Sequence, residues 1–164
     1  MSREGGGLAR NHTGATMKSL FGSAFLALVL SGPAFAGAPS DAVRYFYSNI
    51  GSETEPDNRD RFTGLARTAL DANEQAANGG GAACIDFILA LDSPDLDQNE
   101  IDSSLVLNET ADGPSANVTA DFTLFRQPHE VEWSLQEVDG VWKVADIASR
   151  SGNWRLSTLK CGQR

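Results

Sequence analysis

From Ala116 onward the apolar residues fall at every second position, whereas before Leu91 they follow a longer, helical spacing. Ala116, Val118, Ala120, Phe122 and Leu124 alternate with Asn117, Thr119, Asp121 and Thr123. Val131, Trp133 and Leu135 alternate with Glu132, Ser134 and Gln136. A period of two puts one set of side chains on each face of a sheet, so these runs are expected to be half-buried strands. Asp139-Gly140 then signals a hairpin, because both residues tolerate the positive φ of a two-residue turn. Trp142, Val144 and Asp146 continue the alternation against Lys143, Ala145 and Ile147. The second half therefore reads as a meander of about four antiparallel strands. Trp154, Leu156 and Leu159 close it as a last strand or a helical turn.

The first half has the other period. Pro39 and a capping Ser40 or Asp41 precede Val43, Phe46, Tyr47 and Ile50, which share one helical face. The polar stretch 51–57, with Pro56, reads as a loop. A second helix is expected from near Asn58 to Asn78, with Phe62, Leu65, Ala66, Ala69 and Leu70 on its apolar face. Gly79-Gly80-Gly81 ends it. The run 82–91 is too short for its periodicity to separate strand from helical turn, and 93–102 reads as an acidic loop or short helix. Ile101, Ser103, Leu105 and Leu107 alternate less cleanly. Helices followed by antiparallel strands give an α+β domain, with the N-terminal helices packed on one face of a curved sheet as a cone.

An export signal precedes all of this. Lys18 leads an apolar run from Leu20 to Leu30, Gly32 and Pro33 break it, and Ala34-Phe35-Ala36 offers a small-x-small cleavage site. The run is about 11 residues, short of the ~18 that would span a bilayer, so a cleaved leader over 1–36 is expected rather than a stable membrane anchor. Met17 is a second candidate start, which would place residues 1–16 outside the translated chain. Residues 37–164 then form a single domain of 128 residues, enough for one core. They carry 10 basic and 21 acidic residues, a net charge of −11. Such a surface repels nucleic acid and anionic lipid and suits cationic partners. Cys84 and Cys161 are an even pair in a chain read as periplasmic or secreted, so one disulfide is expected between them.

The opening helix with Val43-Arg44-Tyr45-Phe46-Tyr47, the segment Cys84-Ile85-Asp86-Phe87, and the closing stretch from Trp142 to Cys161 carry a family likeness. The chain resembles the nuclear transport factor 2-like superfamily, the cone-shaped fold of ketosteroid isomerase and the SnoaL-type cyclases. Within it, the chain looks most like the small exported bacterial proteins classed as domain of unknown function 3828. The resemblance implies a pocket between sheet and helices and, by analogy, a homodimer through the open sheet face. It does not imply one reaction, because the fold hosts enzymes and binding modules alike.

Four residues are candidates for lining such a pocket. Asp146 continues the Trp142 and Val144 face, so in an apolar hollow it would be a carboxylate of raised pKa. It is equally read as a strand-end Asp that pairs with Arg150 or Arg155, or caps the next turn. Tyr47 could donate its hydroxyl to a ligand oxygen, or be a core aromatic with a polar tip. Asp86 sits between Ile85 and Phe87 and needs a partner if buried. Trp133 lines the pocket or packs the core. His129 follows Pro128 in an expected turn and has no nucleophile pattern beside it. Asp95, Asp97 and Asn99 copy the start of a calcium loop, but Glu100 and Val106 stand where its Gly and its bidentate Glu belong. No metal and no cofactor is implied.

The reading that follows is a non-catalytic periplasmic module that holds a small apolar or amphipathic ligand, or serves as an accessory domain. One alternative is an isomerase or dehydratase with Asp146 as base and Tyr47 as donor. Another is a protein–protein module, such as an inhibitor or immunity factor for an envelope enzyme. A perturbed Asp146 in a deep pocket would favour the enzyme, and a filled cone with an exposed apolar patch the partner module.

Overall fold

The structure, a computed structural model, describes residues 37–161; the expected leader and its cleavage site lie outside them. Helix α1 (Pro39–Ser48) begins with Pro at its first turn, where a missing N–H costs nothing. It buries Pro39, Val43, Phe46 and Tyr47, the stripe expected of helical spacing. Two 3-10 turns follow, Ser52–Thr54 and Pro56–Arg61. The second helix is therefore shorter than its sequence pattern suggests. Phe62 is extended and bridges Val144, and helix α2 runs only over Gly64–Asn78. Thr63 N–H donates to Val144 O at 2.9 Å, which joins this entry segment to the sheet and leaves Leu65 two-thirds exposed instead of packed.

The run 82–91 is neither helix nor regular strand. It is a chain of turns with one bridge, Ile88 to Ser93, and it nevertheless buries Ile85, Leu89, Ala90 and Leu91. Its backbone polar groups are satisfied by side chains from other elements. Asn73 of α2, itself buried, accepts from Cys84 N–H at 2.9 Å and Ile85 N–H at 3.0 Å. The expected disulfide joins Cys84 to Cys161 and ties the C-terminal stretch to this segment. Helix α3 (Gln98–Ser104) is capped by Asp97, whose carboxylate accepts from Asn99 N–H and Glu100 N–H. Asp97 is thus occupied at a helix terminus, and Ile101, read as the start of a strand pattern, is the buried residue of that helix.

Five strands make the sheet, one more than the alternation indicates: β1 (Val106–Asp112), β2 (Ser115–Leu124), β3 (Gln127–Val138), β4 (Val141–Ser149) and the two-residue β5 (Trp154–Arg155). They pair antiparallel in sequence order, as a curved meander. A last 3-10 turn, Leu156–Thr158, follows β5, so both expectations for the closing residues are met in part. The helices cover the face carrying Val118, Ala120, Phe122, Leu124, Val131, Trp133, Leu135, Val144 and Ile147, which join α1 and α2 in one apolar core. The arrangement is α+β as expected. His129 departs from its expected turn: it is in β3, paired with Phe122 and stacked on its ring at 5.4 Å. The turn lies earlier, at residues 125–126.

One irregularity decides where Asp146 points. Ser134 pairs with Asp146 but Leu135 pairs with Val144, so Ala145 is an extra residue in β4. A bulge of this kind reverses the face of everything beyond it. Val144 and Ile147 are buried on the helix side, while Asp146 shares the opposite face with Ser134.

Candidate functional site

The space between helices and sheet is occupied by aromatic side chains. Trp133, fully buried, stacks on Phe46 with ring centroids 5.3 Å apart. Phe62 packs against Phe46 at 5.3 Å, and Tyr47 meets Trp133 and Phe122 edge-on at 6.1 and 5.7 Å. Of the four sequence candidates, the structure brings Tyr47 and Trp133 together here, as core residues.

The Tyr47 hydroxyl donates to Ala90 O at 2.8 Å. Burial pushes its pKa well above the ordinary phenol value; the nearby Trp133 indole opposes that, and Glu53 and Asp121 add to it. The Trp133 N–H favours the phenolate without reaching hydrogen-bond geometry, and Nε1 has no acceptor. A tyrosine in this state stays protonated and serves as a fixed donor to the backbone.

Beside Tyr47 stands a residue that sequence reasoning missed. Glu53, in the stretch read as a polar loop, is only 1% exposed. Its Oε1 accepts from Ala90 N–H at 2.9 Å. Burial raises its pKa to about 7, and backbone N–H groups around it, including that of Ala90, pull the other way. Glu53 also lines an open hollow of about 220 Å³ with Gly51, Thr54, Ile85, Asp86, Phe87, Ile88 and Pro94. Asp86 is exposed on the rim of that hollow, so the partner that burial would have required is not needed.

Asp146 is on the other face of the sheet and its carboxylate is fully engaged. Oδ1 accepts from Ile147 N–H and Ser157 N–H, both at 3.0 Å, and Oδ2 from Ser157 Oγ at 2.7 Å and Arg155 at 3.0 Å. The pairing with Arg155 and the capping of the next turn, given as its structural reading, are both realised. The apolar hollow is not: the Ala145 bulge turns Asp146 away from Tyr47.

The same outer face carries an open groove of about 580 Å³, lined by Glu132, Ala148, Ser149, Arg150, Asn153, Trp154, Arg155 and Thr158. A further hollow of about 320 Å³ adjoins it at Asn117, Thr119, Glu132 and Arg150. Arg150 pairs with Glu132 at 2.6 Å across its floor. Asp92 buttresses one end. It accepts from Ser149 Oγ at 2.5 Å, from Ser151 Oγ at 3.2 Å and from the Trp154 indole. Charged groups here are paired with each other or spent on turns. The groove offers hydrogen-bonding groups and a tryptophan edge, which suit recognition; it aligns no acid with a base. Among the described residues, no cluster of three His, Cys, Asp or Glu side chains is arranged to hold a metal ion.

In fold, the chain is similar to a chain in the crystal structure of the type VI native effector–immunity complex Tae3–Tai3 from Ralstonia pickettii. The match has a TM-score of 0.51 and 20% identity, and covers 69% of this chain and 95% of that one. A selenomethionine structure of the same complex matches at TM-score 0.48 and 20% identity, over 69% of this chain and 97% of the other. At this identity the likeness is one of fold. No family model and no curated protein matches the chain.

Proposed function

We propose that this chain is an extracytoplasmic protein-binding module, of the kind that neutralises a secreted effector by binding it. The observation that carries the reading is the filled interior. Phe46, Phe62, Phe122 and Trp133 occupy the space in which a small-ligand fold keeps its pocket, and Tyr47 spends its hydroxyl on Ala90. Tyr47 and Asp146, the pair an isomerase would need, are on opposite faces of the sheet. What remains accessible is a polar grooved sheet face, lined by Glu132, Ser149, Arg150, Asn153, Trp154 and Arg155, whose hydrogen-bonding groups suit contact with another macromolecule.

The compartment and the partner class have their own support. A disulfide over a long loop belongs to an oxidising compartment, in line with the leader read at residues 1–36. No described helix is long and apolar enough to cross a membrane. The fold likeness to a chain of an effector–immunity complex supports an effector as partner.

Native mass spectrometry of residues 37–164, purified gently from the periplasm of the source cell, tests the reading. A stoichiometric complex with a second secreted or envelope protein is expected. A bound small molecule in place of a protein would overturn it and restore the ligand-carrier alternative.

A further inference from the structure

Three hairpins of the sheet close on two-residue turns, and two of them use residues the geometry favours. Gly113-Pro114 joins β1 to β2, with Gly113 at φ +57°. Asp139-Gly140 joins β3 to β4, at φ +53° and +75°. The third turn, between β2 and β3, needs positive φ at both positions as well and is built from Phe125 and Arg126, at +52° and +63°. An aromatic and a long cationic side chain are poor choices there, because a Cβ crowds the backbone in the left-handed region. Packing does not compensate. Phe125 is 51% exposed, and the Arg126 guanidinium has no ion pair among the described residues.

The tip is nevertheless tied to a neighbouring helix. The Glu100 carboxylate of α3 accepts from Arg126 N–H at 3.2 and 3.3 Å, and Ser104 Oγ accepts from Thr123 N–H at 2.9 Å. Glu100 itself follows the Asp97 cap of that helix. Helix α3 thus fixes the hairpin from behind while the ring and the guanidinium stand free. A turn whose backbone is already tied to a helix has less ordering left to do on binding. Aromatic and arginine side chains are those that concentrate binding energy at protein interfaces.

We infer that Phe125 and Arg126 form the anchor by which this chain docks into a partner protein, the ring entering an apolar pocket and the guanidinium meeting a carboxylate at its edge. The inference rests on the protein-binding reading above. Charge selects the kind of partner. The helix behind the tip carries Glu100 and Asp102, the approach to it Asp95 and Asp97, and the whole chain is at −9. Arg126 is a cation in acidic surroundings, so it suits a pocket with an acidic edge inside a basic surface. Nucleic acid and anionic membranes, which lack that pattern, are repelled.

Photo-cross-linking followed by affinity measurement tests this. A benzophenone amino acid is placed at position 125 or, as controls on exposed apolar positions elsewhere, at 65 or 141, in the full chain expressed in its own envelope. The cross-linked protein is identified and purified, and its Kd is measured for the native chain and for the double variant Phe125→Asn, Arg126→Gly. That variant supplies the residues the turn prefers, so its Tm should rise while the affinity falls at least ~30-fold. Single variants Phe125→Ala and Arg126→Ala should each weaken binding and leave the circular dichroism spectrum unchanged. Protein adducts at 65 or 141 but not at 125, or an unchanged Kd in the double variant, overturn the anchor and leave the protein-binding reading intact. A lower Tm in the double variant overturns the premise that the turn opposes its own residues. No protein adduct at 125 overturns the anchor, and absence of any protein complex in the native mass spectrum overturns both.

Discussion

Tyr47 and Glu53 hold the same residue from two sides: the tyrosine hydroxyl donates to Ala90 O at 2.8 Å, and the glutamate carboxylate accepts from Ala90 N–H at 2.9 Å. Ala90 is fully buried in a segment without regular structure. Its backbone groups have no ladder to join, and an unmade pair in the interior costs ~1–3 kcal/mol each. The two side chains therefore do for 82–91 what hydrogen bonding does for a strand. Tyr47→Phe keeps the ring packing and orphans Ala90 O, so it should lower unfolding free energy by ~1–3 kcal/mol in urea denaturation. A loss near zero would mean that water or another donor replaces the hydroxyl.

Glu53 makes stability depend on pH in an unusual direction. Its carboxyl has an ordinary value of 4.5 and is raised to about 7 in the fold, chiefly by burial. The folded state then binds its proton more tightly than the unfolded state. The contribution of this group is fully present below pH ~4.5 and is lost as pH rises through 7. The scale is on the order of 3 kcal/mol. Glu53→Gln has no such titration. The difference in unfolding free energy between native chain and variant should shift against the native chain between pH 5 and pH 8. An equal difference at both values would show that Glu53 is ionised throughout.

Reducing the Cys84–Cys161 bond should cost much more than any single hydrogen bond. It closes a loop across 77 positions, and the chain-entropy relation gives ~4–5 kcal/mol for a loop of that length. The Cys84→Ser, Cys161→Ser double variant should unfold at markedly lower denaturant, with the core of β2 to β4 losing amide protection together with the 82–91 segment. Loss confined to 82–91 would instead show that the segment opens independently of the sheet.

The residues that were legible in the sequence are those whose position follows from a local period. Trp133 and Phe46 announced their burial by alternation and by helical spacing, and they stack at 5.3 Å. The features that escaped have tertiary causes. Ala145 looks like any alternating strand residue, yet the bulge it makes reverses Asp146. Glu53 looks like a loop acid, and is buried where it accepts from Ala90 N–H, a group distant in sequence. The turn at Phe125 and Arg126 carries no Gly, Asn or Asp to announce it. Pro128 drew the expected turn to itself, but a proline is tolerated at the start of a strand. Sequence pattern encodes what a segment does by itself; the candidate site is built from what segments do for one another.

Gly152 offers the sharpest test of the β4–β5 corner. Its backbone N–H donates to Ser149 Oγ at 2.9 Å, and it packs against the carboxylate of Asp92 and the indole of Trp154. A Cβ at this position would sit 2.7 Å from Asp92 Oδ2 and 2.7 Å from Trp154 Cδ1, closer than carbon can approach either. Its φ is not in the left-handed region, so backbone strain plays no part and the whole effect is steric. Gly152→Ala should cost ~1–3 kcal/mol, the usual penalty for overpacking a filled site. Asp92→Ala makes room but orphans the Trp154 N–H and removes the acceptor shared by Ser149 and Ser151, so it is also destabilising by itself. The two effects share a cause and should not add: the double variant is expected to lose less than the sum of the singles, a coupling readable in a double-mutant cycle. Simple additivity would mean that Gly152 is constrained by Trp154 rather than by Asp92.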